Sequence, residues 1–169
     1  MTDVVSISQE AAEALKKANT GMVNDALALV GVNGGIRGVR PARGCEDAKM
    51  VGRAATLLFA APRPDSPKLT MDETIRKSPA GSVLVIDGKG MDVHFTGDNQ
   101  GEYAKRQGLA GMVVYGGARD IAGYRAMGMP LYYTGSATVD KPSDIQIVGY
   151  REERVFSKFG KEFLTILMR

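Results

Sequence analysis

The sequence predicts an α/β fold, and its middle third carries the main observations. SVLVIDG (Ser82–Gly88) and GMVVYGG (Gly111–Gly117) are short, nearly continuous apolar runs closed by glycine, the pattern of strands buried on both faces. The stretch 99–107 between them reads as the helix that connects them. Strands joined through a helix in this way give the α/β class.

The remaining elements follow along the chain. Ser6 with Gln9 three residues on can form a capping box, after which Ala11, Ala12, Leu15 and Ala18 recur at helical spacing. Thr20 and Gly21 punctuate this first helix, and Met22, Val23, Ala26, Leu27 and Val30 make a second apolar stripe that ends at Gly31. The two read as a helical hairpin. From Gly34 to Ala48 glycines and arginines dominate without periodicity, so loop or irregular strand is expected. Val51–Ala61 is a strand candidate ended by Pro62, Pro64 and Pro67, and Met71–Lys77 a short helix. Asp120–Met127 reads as a helix, and PLYYTG (Pro130–Gly135) and DIQIVGY (Asp144–Tyr150) as strands.

At 169 residues the chain suits one domain with a sizeable core. With 44% hydrophobic and 24% charged residues it should fold rather than stay disordered. The formal charge is +3, but Lys and Arg are interspersed with Asp and Glu, so no basic stripe points to nucleic acid. The single cysteine, Cys45, excludes an internal disulfide framework and reads as an inert small side chain. The N-terminal stretch has no long apolar segment of a signal peptide, and no apolar run approaches the roughly 18 residues of a membrane span. A cytoplasmic protein without membrane partners is expected.

Chemistry concentrates in GDNQGEYAKRQGLAGMVVYGGARD, Gly97 to Asp120. Asp98 can cap the helix that begins there, leaving the amides of Asn99, Gln100 and Gly101 at the positive end of its dipole. Carboxylate and phosphate both suit such an end. Arg119, just past a buried strand, adds a planar charge that can fork onto a carboxylate or oxyanion, and Asp120 a hard oxygen of the kind Mg²⁺ or Mn²⁺ prefers. The plainer alternative is a helix cap at Asp98 and a surface ion pair between Arg119 and Asp120. His94, the only histidine, and Lys89 and Lys105 read as structural or solvated groups, and GVNGGIRG lacks the strand-to-helix context of a dinucleotide fingerprint.

Asp98, twenty residues, then Arg119–Asp120 resembles the signature of the 4-hydroxy-4-methyl-2-oxoglutarate aldolases of the RraA-like family. GMVVYGGARD matches that family's Gly-x-Val-x-x-Gly-x-x-Arg-Asp strand. The similarity extends through GMVNDAL (Gly21–Leu27), VGRAAT (Val51–Thr56), PAGSVLVIDG (Pro79–Gly88) and the Pro130 strand. The resemblance implies a swivelling β/β/α domain over residues 1–150, a central sheet flanked by helices. It also implies a divalent-metal-dependent lyase that cleaves 4-hydroxy-4-methyl-2-oxoglutarate-like 2-oxo acids to pyruvate and decarboxylates oxaloacetate.

Carried over residue by residue, the resemblance puts the substrate carboxylate against Gly97, Asp98, Asn99 and Gln100 and the 2-oxo oxygen near Arg119. Asp120 would ligate Mg²⁺ or Mn²⁺ directly, and Asp98 would act through a water on the metal. Asp98, Arg119 and Asp120 form the implied catalytic set. A homotrimer or hexamer is implied as well. After Tyr150 the sequence departs from the family: REERVFSKFGKEFLTILMR lacks its usual Gly-Gly-Val and Pro-Gly-Asp series. Val155, Phe159, Phe163, Ile166 and Leu167 instead recur at helical spacing over a divergent tail, 151–169. Two other functions fit the same fold: a non-catalytic regulator of RNA decay that binds protein, and an inactive assembly subunit.

Overall fold

The structure, a computed structural model, describes residues 8–33, 36–150 and 166–168. Helices α1 (Gln9–Lys17) and α2 (Thr20–Leu29) come first. Ser8 caps α1 by accepting from the Ala11 amide at 3.1 Å, and Asn19 caps α2 by accepting from Met22 at 2.9 Å. The expected box at Ser6 lies outside the described residues. Thr20 and Gly21 do not separate the helices: Asn19, extended and with a short acceptor side chain, does so and leaves them in the first turn of α2. Neither helix buries a residue, and Leu29 and Val30 are 89% and 72% exposed.

The segment 36–48 is mostly irregular but contributes β1 (Arg40–Pro41). The single strand expected over 51–61 is two, β2 (Met50–Gly52) and β3 (Ala54–Ala60), because the chain changes sheets at Arg53. Arg53 O there accepts the Val83 amide at 2.8 Å. Helix α3 (Met71–Lys77) lies where expected, started by a capping box in which Thr70 and Glu73 bond each other's amides. Then follow β4 (Val83–Asp87), β5 (His94–Thr96), α4 (Asp98–Arg106), β6 (Gly111–Ala118), α5 (Ile121–Met127), β7 (Leu131–Ser136) and β8 (Gln146–Tyr150). The last strand, β9 (Ile166–Met168), pairs antiparallel with β2, so the helical spacing read across the tail does not hold at 166–168, and 151–165 lie outside the described residues.

Among the described residues seven strands share one sheet in the order β1-β7-β6-β4-β3-β8, with β5 added against β6. Strands β3, β4, β6 and β7 are mutually parallel. Their order advances in one direction, so right-handed crossovers put α3, α4 and α5 on one face, where α3 packs on α4 and α4 on α5. Beneath these helices Leu84, Ile86, Met112, Val114 and Leu131 meet Ile75, Ala104 and Tyr124 in the main core. The opposite face carries a smaller cluster of Met50, Val83, Val85, Val113 and Tyr132. All five residues of β4 are buried, as expected for a strand covered on both faces. This is the α/β class, a central sheet flanked by helices. No helix of the described residues is long and apolar enough to cross a membrane.

In the smaller cluster the Tyr132 hydroxyl has no hydrogen-bond partner among the described residues. A buried hydroxyl without a partner costs stability, so Tyr132→Phe should leave the fold intact and raise the unfolding free energy by about 1 kcal/mol in urea titration. A loss of that size would mean that the hydroxyl is bonded after all.

Candidate functional site

The site starts from the register of two short parallel segments. Strand β5 lies beside the second half of β6, with His94 opposite Gly117 and Thr96 opposite Ala118. The Arg119 amide then donates to Thr96 O at 3.1 Å. Each strand ends there, and the next residues are Gly97–Asp98 on one side and Arg119–Asp120 on the other. The two halves of the motif, twenty residues apart in sequence, are thus neighbours at the carboxyl ends of parallel strands, where α/β folds hold ligands.

Gly97, not Asp98, is the N-cap of α4. Its extended backbone lets its carbonyl accept the first helical bond, from Gly101 N at 3.1 Å, and its amide donates to Gln100 Oε1 at 3.2 Å. The Gly101 amide is taken, and the amides that meet no helical carbonyl are those of Asp98, Asn99 and Gln100. Asp98, relieved of capping, turns its side chain toward α5: a Cβ built on Gly123 would lie 2.5 Å from Asp98 Cβ and 2.9 Å from Oδ2. Gly97 faces the other half, since a Cβ there would lie 2.9 Å from Asp120 Oδ2 and 3.4 Å from Arg119 Nε.

Asp120 precedes rather than begins α5. It is the N-cap and sits in the left-handed region, φ 57° and ψ 39°, a conformation that costs a non-glycine residue about 1 kcal/mol and that aspartate tolerates better than most. Its Oδ2 lies 3.2 Å from Arg119 Nε, and both side chains are 46% exposed. The surface ion pair weighed as the plainer reading is therefore formed, and it borders the α4 turn. An ion pair this exposed contributes little to stability, so its value lies in where it puts a guanidinium and a carboxylate.

Sequence reasoning missed Tyr124. Its side chain is fully buried, its hydroxyl donates to Gly97 O at 2.8 Å, and Thr96 Oγ1 lies 2.8 Å away. Burial pushes the phenol well above its ordinary range, against the Thr96 hydrogen bond, and the nearby Asp98 and Asp120 carboxylates push the same way. Tyr124 therefore stays neutral and keeps its proton to donate. The available signal was its place four residues after Asp120, one turn along the same helix face.

The discounted residues lie elsewhere. The Cys45 thiol is buried, which raises its pKa. His94 Nδ1 lies 2.9 Å from Val139 O and Nε2 3.1 Å from Asp140 Oδ1. Lys89 pairs with Asp87, and Lys105 donates to Met127 O. Among the described residues no three acidic, histidine or cysteine side chains gather to hold a metal. The two carboxylates at the turn, Asp98 and Asp120, suit a hard cation that keeps several waters, as Mg²⁺ does, rather than one caged by protein.

Comparison with known proteins agrees with this architecture. The RraA-like family, described as Aldolase/RraA, matches residues 20–150. Protein DlpA of Legionella pneumophila is 32% identical over 126 residues, which cover 72% of this chain and 20% of that protein. The chain thus spans about a fifth of that relative's length. An uncharacterized protein from Pseudomonas syringae superposes with a TM-score of 0.77 at 25% identity, covering 96% of this chain and 73% of that one. RraAS2 of Streptomyces coelicolor, described as an unusual member of the RNase ES inhibitor RraA protein family, gives a TM-score of 0.72 at 26% identity, covering 86% of this chain and 73% of that one.

The close approach of α5 to Asp98 makes a prediction with a decisive sign. Gly→Ala inside a helix ordinarily adds about 1 kcal/mol, whereas forcing a methyl into an occupied space costs about 1–3 kcal/mol. Gly123→Ala should therefore lower stability in urea unfolding; a stabilised variant would show that Asp98 does not pack against α5.

Proposed function

The chain belongs to the RraA-like family, and we propose that it is a divalent-metal-dependent lyase releasing pyruvate from 4-hydroxy-4-methyl-2-oxoglutarate-like acids and from oxaloacetate. The family includes both aldolases with decarboxylase activity and ribonuclease inhibitors. The observation that carries the lyase reading is the meeting of the Gly97–Gln100 turn with Arg119 and Asp120 across the β5–β6 pairing.

Each group has a role in this reading. The amides of Asp98, Asn99 and Gln100, at the positive end of α4, take the substrate carboxylate. Arg119 faces the 2-oxo oxygen. When the C–C bond breaks its electron pair moves onto the 2-oxo group, where the guanidinium stabilises the enolate charge. Carbon dioxide leaves in decarboxylation, and in retro-aldol cleavage the 4-hydroxyl gives its proton to water as its carbon becomes a carbonyl. In both the enolate then takes a proton from water to give pyruvate. One fixed charge thus serves both reactions, because both pass through the same enolate. Asp120, exposed and without a capping bond of its own, would hold Mg²⁺ or Mn²⁺, with Asp98 behind a water, and the cation when bound supplies Lewis-acid stabilisation of the same developing charge.

In this reading residues 1–150 form one RraA-like domain and 151–169 a divergent tail. Self-association as a trimer or hexamer fits α1 and α2, which have no fully buried residue among the described residues, while α2 and the turn after it expose Met22, Leu29 and Val30. A cytoplasmic setting completes it. A second reading, an RNA-decay regulator acting through protein contacts, is favoured by the likeness to RraAS2. It requires neither the metal nor Asp120.

Pyruvate release from the two substrates with Mg²⁺ should be abolished by chelator and reduced about 100-fold or more in Asp120→Ala. Absence of turnover on both substrates by a folded wild type would overturn the lyase reading and favour the regulator.

A further inference from the structure

We infer that Tyr124 is a positioning residue that holds the Gly97–Gln100 turn in its anion-binding shape, through a hydrogen-bond chain running from Thr96 Oγ1 to the Tyr124 hydroxyl to Gly97 O. This deepens the lyase reading and rests on it for the identity of the bound anion.

The chain of bonds is fixed at every link. Thr96 is 2% exposed, and its two polar ends are both engaged: its carbonyl takes the Arg119 amide at 3.1 Å, and its hydroxyl lies 2.8 Å from the Tyr124 oxygen. The Tyr124 proton goes to Gly97 O at 2.8 Å, so the Thr96 hydroxyl is left to donate into Tyr124. Gly97 O consequently accepts twice, from Tyr124 and from Gly101 N at 3.1 Å. Two acceptor bonds on one carbonyl fix the peptide plane between Gly97 and Asp98. That plane also carries the Asp98 N–H, the first of the free amides.

The tyrosine ring fixes the second dimension. A Cβ built on Gly101 would lie 2.6 Å from the ring, so α4 crosses α5 at a distance that only glycine allows. Tyr124 lies one turn after Asp120 on α5, and a single rigid side chain therefore spans the two halves of the site.

Tyr124→Phe keeps the ring and removes the link, Thr96→Val removes only the donor behind it, and Thr96→Ser restores that donor. With oxaloacetate and Mg²⁺, Tyr124→Phe should raise KM about tenfold with kcat changed by less than about threefold, because a lost neutral hydrogen bond loosens the carboxylate turn and leaves the enolate-facing Arg119 in place. Thr96→Val should give a smaller rise and Thr96→Ser none. Alongside, amide exchange at Gly101 should accelerate about tenfold in Tyr124→Phe while the β6 amides keep wild-type protection. An unchanged KM and unchanged Gly101 exchange would overturn the inference. So would equal losses across the β6 amides, which would make Tyr124 a general core residue. If the wild type shows no turnover, the lyase reading fails, and selective acceleration at Gly101 still decides for or against the clamp.

Discussion

The parallel pairing of β5 with the second half of β6 is the constraint on which the rest of the site depends. It is short, and its last hydrogen bond, from the Arg119 amide to Thr96 O, is the point at which both strands stop. Everything chemically interesting begins one residue later. Strand β4 occupies the neighbouring position along the first half of β6, with Val83 opposite Gly111 through Asp87 opposite Tyr115. The loop after β4 returns the chain as β5 to fill the same side of β6 farther along. Without that return, the turn at Gly97 would have no reason to lie beside Arg119.

Close packing then converts proximity into a defined geometry. Helices α4 and α5 leave adjacent strand ends on the same face of the sheet, and their first turns approach more closely than side chains normally allow. Gly97, Gly101 and Gly123 make the room, facing Asp120, Tyr124 and Asp98 respectively. The left-handed backbone at Asp120 is the local cost of starting α5 immediately after the strand. The same region is polar only at its rim: Asp98 is half-buried, Arg119 and Asp120 are exposed, and Thr96 and Tyr124 beneath them are buried with their hydroxyls paired.

Much of this was legible in the sequence, for physical reasons that differ by element. The buried strands β4 and β6 declared themselves through unbroken apolar runs, because burial on a parallel sheet leaves a strong compositional trace, and α3 and α5 were read as the short helices beside the strand candidates. The three-residue β5 left none: His-Phe-Thr is too short for alternation to show, and its pairing is decided by β6. The identity of the α4 cap was misassigned for a related reason. Aspartate is the commoner cap by propensity, but here Gly97 can adopt the extended cap conformation while lying against Arg119 and Asp120, which a side chain would displace. The motif residues were singled out by their resemblance to the family's signature, whereas Thr96 and Tyr124 became visible only once the fold had brought them together. The strand at 166–168 was missed because helical spacing over so few residues does not exclude a strand.

Under the proposed function Gly97–Gln100 and Arg119–Asp120 form one ligand site rather than a helix cap and an unrelated ion pair. Oxalate, a stable dianion shaped like the pyruvate enolate, tests it directly when titrated with Mg²⁺ against ¹⁵N-labelled protein. With one site, the amide resonances of Asp98, Asn99, Gln100, Arg119 and Asp120 move together along one binding curve, with a single dissociation constant. Movement confined to one of the two segments, or two curves with different midpoints, would contradict it.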